Sequence, residues 1–185
     1  LVSDEIYDGL VYDGARVTCA LELGDDVFVL HGFSKRYAMT GFRLGYVIAP
    51  SGAMRALQSL AQNLFISVSS FAQRAGVAAL EHGDATTAAM RESYGARRAL
   101  LIDGLSRLGL EVPVIPRGAF YVFADARRFG SDSTALASKI LEQAHVAVTP
   151  GIDFGEAGEG FLRFSCTAPE ARLREALERI GRVLG

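Results

Sequence analysis

Short apolar runs alternate with stretches of helical spacing along most of this chain. Residues 1–50 read as strands and turns. Val27 to Phe33 is a largely apolar run of strand length, suited to burial on both faces. Leu44 to Ala49 is a second strand, closed by the breaker cluster Pro50-Ser51-Gly52. Apolar residues at Met54, Leu57, Leu60, Ala61 and Leu64 then predict a helix over 53–64. Ser67, Ser69 and Ser70 interrupt the pattern. Gln73, Ala75, Val77, Ala78 and Leu80 predict a second helix, ended by His82-Gly83. Helical spacing returns from about Thr86 to Leu110, with Gly95 and Gly104 as weak points.

After Gly109 the texture changes. Pro113, Pro116 and Gly118 lead into Ala119 to Ala124, a strand dense in aromatics. Thr134 to Ala144 reads as a helix, Val146 to Thr149 as a strand, Pro150-Gly151 as a turn and Phe161 to Cys166 as a strand. Thr167-x-x-Glu170 has the form of a capping box for a last helix, with Leu173, Leu177, Ile180 and Leu184 as its stripe. The fold class expected is α/β. Residues 1–82 form a sheet domain, 83–110 a bridging helix and 111–185 a small α+β domain.

Composition narrows the function classes. The 185 residues are 50% hydrophobic and 22% charged, with net charge −2, an ordinary soluble globular balance. Near-neutral charge gives no basic footprint for nucleic acid or for a membrane surface. The apolar runs are of strand length, too short to span a bilayer. The opening Leu-Val-Ser-Asp-Glu is not a secretory signal. Cys19 and Cys166 lack metal-type spacing and read as reduced, buried thiols of a cytoplasmic protein. The scattered His31, His82 and His145 form no metal-ligand cluster, and His31 reads as a packed strand-end residue. The chain opens without methionine at what looks like a strand end, and is expected to be part of a longer protein.

Lys35 and Lys139 are the two lysines present. Lys35 closes an apolar strand, a poor choice for packing. It is a good choice for an amine that loses its proton and forms a Schiff base. Eight residues on, Arg43 supplies a permanent cation whose fork suits a phosphate. Gly41 and Gly45 flank it, letting the backbone approach a ligand. A lone lysine of this kind is most often a snorkelling surface residue; with the arginine and glycines at this spacing, the set suits a phosphorylated aldehyde cofactor. Asp4 with Tyr7, and Arg163 within the apolar strand Phe161-Leu162-Arg163-Phe164-Ser165, are the other candidates. An arginine there is costly to bury unless it meets an anion, either a ligand or a neighbour such as Glu159.

Ser34-Lys35, Gly41, Arg43 and Gly45 resemble the lysine motif of the class I and II aminotransferases, fold-type I pyridoxal-phosphate enzymes. Their consensus reads roughly S-x-S-K-x5-G-x-R-x-G, and Gly32 stands where the first serine belongs. Pro116 to Tyr121 resembles the family's P-x-G-A-F-Y strand, and Pro150 to Gly155 its P-G-x-x-F-G loop. The resemblance runs from Asp4 to the last helix. It implies that Lys35 holds pyridoxal 5′-phosphate and shuttles protons as the catalytic base. It further implies Asp4 on the ring nitrogen, Tyr7 on the ring hydroxyl and Arg43 on the phosphate. Ser34 either joins Arg43 or bonds its own backbone. Arg163 would bind the substrate α-carboxylate.

The same resemblance implies amino-group transfer between an amino acid and a 2-oxo acid, an antiparallel strand over Leu44 to Ala49, and a homodimer with sites at the interface. A pyridoxal-phosphate-dependent C–S β-lyase and a non-catalytic regulatory module share these residues and remain alternatives. The glycine-containing phosphate loop, stacking aromatic and asparagine of the family's N-terminal part are not found here. The 185 residues alone are therefore expected not to catalyse transamination.

Overall fold

The computed structural model describes all residues, Leu1–Gly185. Two units, Leu1–Arg91 and Glu92–Gly185, are each compact, and the division falls within one long helix.

In the first unit, β1 (Val2–Asp4), β2 (Phe28–Gly32) and β3 (Gly45–Ile48) form a sheet in the order β1-β2-β3. β1 and β2 are parallel, with Asp4 opposite Leu30; β2 and β3 are antiparallel, with Gly32 opposite Gly45. The antiparallel direction of the third strand is as the resemblance implied. The lysine turn α1 (Phe33–Arg36) follows β2 without a break. α2 (Met54–Leu64) and α3 (Ser70–His82) come after β3. The core here is small: Val27, Val29 and Ala20, with Leu10, Phe33, Met39 and Ala72 buried elsewhere in the unit.

α2 has the apolar spacing expected of it, yet none of its residues is buried. Leu60 and Leu64 are 57% and 76% exposed, and Phe65, Ile66, Phe71 and Leu80 nearby are mostly open as well. Apolar area left in water forfeits about 25 cal/mol per Å², so this is an unpartnered face rather than scattered exposure. The strand Val27 to Phe33 is likewise not buried throughout: Val29 is covered while Leu30 is 42% exposed.

α4 (Asp84–Arg107) runs through Gly104, where added side-chain bulk would strike Leu177. It stops short of Leu110. Gly109 takes φ +81°, and the Leu110 N–H donates back to the Leu105 carbonyl, the bond that closes a helix end of this type.

The second unit is a three-stranded antiparallel sheet in the order β4-β6-β5, backed by helices. Its strands are β4 (Tyr121–Asp125), β5 (Thr149–Pro150) and β6 (Phe161–Ser165), and its later helices α5 (Ser133–Ala144) and α6 (Glu170–Leu184). Period-two alternation decides the faces. Val122 and Ala124 of β4 and Leu162 and Phe164 of β6 join Leu101, Leu105, Ile140, Leu173 and Ile180 in one core. On the other face Phe123 stacks on Phe161 at 5.0 Å, and Phe154 meets Phe123 edge-on at 5.8 Å.

Two local expectations fail here for identifiable reasons. Of Val146 to Thr149 only Thr149 pairs in the sheet; Val146 and Val148 pack on the core without ladder bonds, so their alternation reflects coverage, not pairing. Thr167 and Glu170 do not form a capping box. Pro169 occupies the N-cap, so Glu170 is the first helical residue instead of the third, and the Thr167 hydroxyl bonds that of Ser165 at 3.0 Å. Leu173 and Ile180 are buried and Leu177 and Leu184 pack against them, so the stripe itself is in place.

The loop Pro150 to Gly155 owes its shape to backbone contact. A Cβ on Gly151 would lie 1.9 Å from the Gly158 carbonyl oxygen and 2.7 Å from that of Phe161. These neighbours are main chain and cannot rotate away. Gly151→Ala is expected to destabilise the protein by about 3 kcal/mol, the upper end of overpacking costs, read as a lowered midpoint in urea unfolding.

No helix is long and apolar enough to cross a membrane. Both cysteines are free; Cys166 is buried as expected, whereas Cys19 is only half-buried. Burial among apolar neighbours pushes the Cys166 thiol up to about 11, so it stays a neutral packing group.

Candidate active site

The lysine turn is fixed by its apolar first residue. Phe33 is buried, and its ring meets Tyr37 at 5.5 Å and Tyr46 at 6.0 Å. The Phe33 N–H donates to the Leu44 carbonyl at 3.2 Å, while its carbonyl accepts from Tyr37 and Met39 at 3.2 and 3.3 Å. Lys35 therefore stands two residues beyond an anchor held on both sides. It is half-buried, as is Ser34.

Asp4 is the last residue of β1, and β1 runs parallel to β2. Both strands deliver their following residues to the same, C-terminal edge of the sheet, where ligands of open α/β sheets gather. Asp4 Oδ1 accepts from the Ile6 N–H at 3.1 Å; Oδ2 carries no bond within the chain. Tyr7 lies in the turn that follows, half-buried, its carbonyl accepting from the Leu10 N–H at 2.9 Å. Glu5 ties this segment down: Oε1 accepts from the Ala20 N–H at 2.8 Å and the Ser3 hydroxyl at 3.1 Å.

The Ala20 N–H, first among its partners, holds the Glu5 carboxyl below the ordinary 4.5. A lowered folded value means the unfolded chain binds the proton first. Glu5's stabilisation is complete above the ordinary value and is lost as pH falls through the lower folded one. Glu5→Gln is expected to lower stability at pH 7 and to flatten the fall of the unfolding midpoint below pH 4.5, measured by urea titrations across that range.

Arg43 ends the 3-10 turn Thr40–Phe42 in the left-handed region, φ +52°, with Ala38 also left-handed at +53°. Non-glycine residues in this region are uncommon and gather at ligand-binding turns. The Arg43 side chain is exposed; Nη1 donates to the Thr40 carbonyl at 2.9 Å, and no carboxylate pairs with it. Gly41 has open space beside it, as a backbone surface for a ligand requires. Gly45 differs from the expectation: a Cβ there would lie 3.0 Å from the His31 carbonyl, so its smallness serves strand pairing. Gly32 also has a packing reason, since its Cβ would sit 3.0 Å from Ile6 Cδ1 and 3.2 Å from the Leu44 carbonyl. The absent serine hydroxyl is the cost of that close approach. His31 is packed, as expected, stacked on Tyr46 at 5.2 Å and 4°.

Arg163 belongs to the second unit. β6 is the central strand of its sheet, so the arginine is not at an edge. Nor does it pair with Glu159, whose Oε1 accepts from the Ser133 and Gly160 N–H groups at 2.6 and 2.9 Å. The Arg163 guanidinium lies over Tyr121 at 4.2 Å and over Phe154 at 4.7 Å. Nη2 donates to Thr149 Oγ1 at 3.2 Å, directly across the strand pair. It is a half-buried cation between aromatic faces with no carboxylate partner, which is the condition of a group waiting for an anion. Nothing in the F-x-R-x-S alternation signals this aromatic sandwich, because Tyr121, Phe154 and Thr149 come from outside the strand.

Lys35, Asp4, Tyr7, Ser34 and Arg43 thus gather in the first unit, and Arg163 stands in the second. The residues present fit pyridoxal phosphate by their chemistry: an amine at a strand edge, a carboxylate oxygen without a partner and an arginine with no internal acid.

An open sheet with its reactive groups at one strand edge, and a helix-backed antiparallel sheet carrying an unpaired arginine, define a fold-type I aminotransferase scaffold. The chain belongs to the class I and II aminotransferase family, whose profile matches residues 1–180. It is 44% identical over 184 residues to the valine–pyruvate aminotransferase of Mycobacterium tuberculosis, covering 98% of this chain and 47% of that protein. It is 41% identical over 188 residues to the aspartate/prephenate aminotransferase of Thermus thermophilus, covering 100% of this chain and 48% of the relative. The crystal structure of an aromatic aminotransferase from Pyrococcus horikoshii superposes with a TM-score of 0.94 at 38% identity, over 99% of this chain and 50% of that one. The chain spans about half the length of the relatives it matches.

Proposed function

We propose that the intact protein is a pyridoxal-phosphate-dependent aminotransferase, moving an amino group between an amino acid and a 2-oxo acid. The observation that carries this reading is the delivery of Lys35 and Asp4 to one edge of the parallel β1–β2 pair. When bound, pyridoxal phosphate supplies an aldehyde that condenses with amines and a ring that draws electrons from the substrate α-carbon.

The chain's own residues supply the rest. Asp4 would sit against the ring nitrogen and keep it protonated, and Tyr7 would donate to the ring hydroxyl. Arg43 would pair with the charge of the phosphate, and the Ser34 hydroxyl would donate a hydrogen bond to it. The Lys35 amine Nζ would take the proton from the substrate Cα and hold it for return, general acid–base work by one positioned group. Arg163 binds the α-carboxylate and so aims the Cα–H bond, an orientation effect. The aromatic faces of Tyr121 and Phe154 keep the guanidinium plane from rotating.

A homodimer with sites at the subunit interface, in the cytoplasm, is part of this proposal; the open apolar face around α2 supports further packing partners for the first unit. Valine with pyruvate, aspartate and aromatic amino acids are the donors to assay first, being those named in the relatives. The test is product balance in the intact protein. One 2-oxo acid formed per amino group transferred supports the proposal; pyruvate with ammonia and thiol from a sulfur amino acid, without amine transfer, rejects it for β-elimination.

A further inference from the structure

Arg36, the residue after the reactive lysine, is tied to two segments remote in sequence. Nη1 meets Asp8 Oδ2 at 2.9 Å, and Asp8 directly follows Tyr7. Nη2 stands 3.5 Å from Asp84 Oδ1, at the first residue of α4. The Arg36 carbonyl accepts from Thr87 Oγ1 at 2.9 Å, and Thr87 is 5% exposed, one of few buried polar side chains in the protein. The arginine stem lies over Gly9, where a Cβ would come within 2.6 Å of Arg36 Cγ. Its ring-side neighbour is Tyr37, at 5.5 Å. Asp8 Oδ2 is also 3.7 Å from His31 Nε2.

Stability alone does not account for this arrangement. The side chains of Arg36 and Asp8 are 31% and 39% exposed, a setting in which ion pairs contribute little. Arg36 Nε is buried without a hydrogen-bond partner, which costs more than it returns. The contacts have one geometric consequence in common. They fix the backbone on which Lys35 stands against the segment that carries Asp4 and Tyr7, and against the start of α4.

We propose that Arg36 is a positioning residue: through Asp8 it clamps the lysine turn to the Asp4–Tyr7 segment, and through Thr87 to the start of α4, setting where the Lys35 amine meets the cofactor. The proposal rests on the aminotransferase reading. It assigns Arg36 no contact with substrate or cofactor.

The experiment adds pyridoxal phosphate to the cofactor-free intact protein and follows the absorbance of lysine-bound cofactor. Thermal midpoints of the cofactor-free proteins are measured alongside. Arg36→Met and Asp8→Asn are each expected to weaken cofactor binding about tenfold, and the double variant no more than either alone, because each single change already breaks the pair. The midpoints of the cofactor-free variants should stay close to that of the parent. Arg36→Lys, which keeps the charge but loses the fork, should fall between parent and Arg36→Met. If Arg36→Met fails to fold, Arg36→Lys and Asp8→Asn carry the comparison.

Parental binding in these variants overturns the clamp. So do losses that multiply to about a hundredfold in the double variant, or a binding loss that merely follows a fallen midpoint. Absence of the lysine-bound absorbance in the unchanged protein is a separate failure, since it rejects the aminotransferase reading before any variant is compared.

Discussion

Lys35→Ala will reduce amino-group transfer by the intact protein by about 10⁴-fold or more while leaving its fold in place. The loss is large because the proposed function gives one amine two duties, covalent attachment of the cofactor and movement of the α-proton, and no second amine is near by sequence. The other lysine, Lys139, belongs to α5 in the second unit. The fold survives because Lys35 is half-buried and outside both apolar clusters, whereas the turn is anchored by Phe33. Steady-state turnover with the best donor checks the first part, and an unchanged urea midpoint of the cofactor-free protein checks the second. Turnover within tenfold of the parent would remove Lys35 from the chemistry.

The second large effect is expected at Arg163. Arg163→Gln should raise the KM for amino acid and 2-oxo acid about a hundredfold, in line with losing one partner of a desolvated charge pair. kcat should fall less, because the Lys35 amine itself is unchanged. The arrangement of Tyr121, Phe154 and Thr149 makes the prediction sharper. A lysine lacks the planar fork that lies against both rings, so Arg163→Lys should recover only a small part of the affinity. Amines without a carboxylate should be indifferent to either change. A KM that moves equally for such amines would make Arg163 a structural residue.

The family was the most legible part of the sequence, because the motif that carries the resemblance lies within eleven residues, Lys35 to Gly45, and needs no tertiary contact to be recognised. β2, β3, α3 and α5 fall within about three residues of their expected limits, as strong period signals do. The failures share a cause. The capping box at Thr167 has the right letters, but Pro169 shifts the helix start by two residues. Val146 and Val148 alternate like a strand because they cover a core, which periodicity cannot separate from pairing.

What could not be read was contact across distance. Arg36 meets residues 28 and 51 positions away, and Glu159 turns to Ser133, 26 positions away, leaving Arg163 without the acid its neighbour could have supplied. α2 showed an amphipathic stripe, but nothing in its spacing says whether that stripe is covered, and here it is not.

The most direct test of the account is borohydride reduction of the intact, cofactor-loaded protein, followed by peptide mass spectrometry. Reduction makes the amine–aldehyde bond permanent, so the attachment point is read from sequence. One phosphopyridoxyl adduct is expected, on the peptide containing Lys35, and none on the peptide containing Lys139. An adduct on Lys139, or no adduct in protein incubated with excess cofactor, would contradict it.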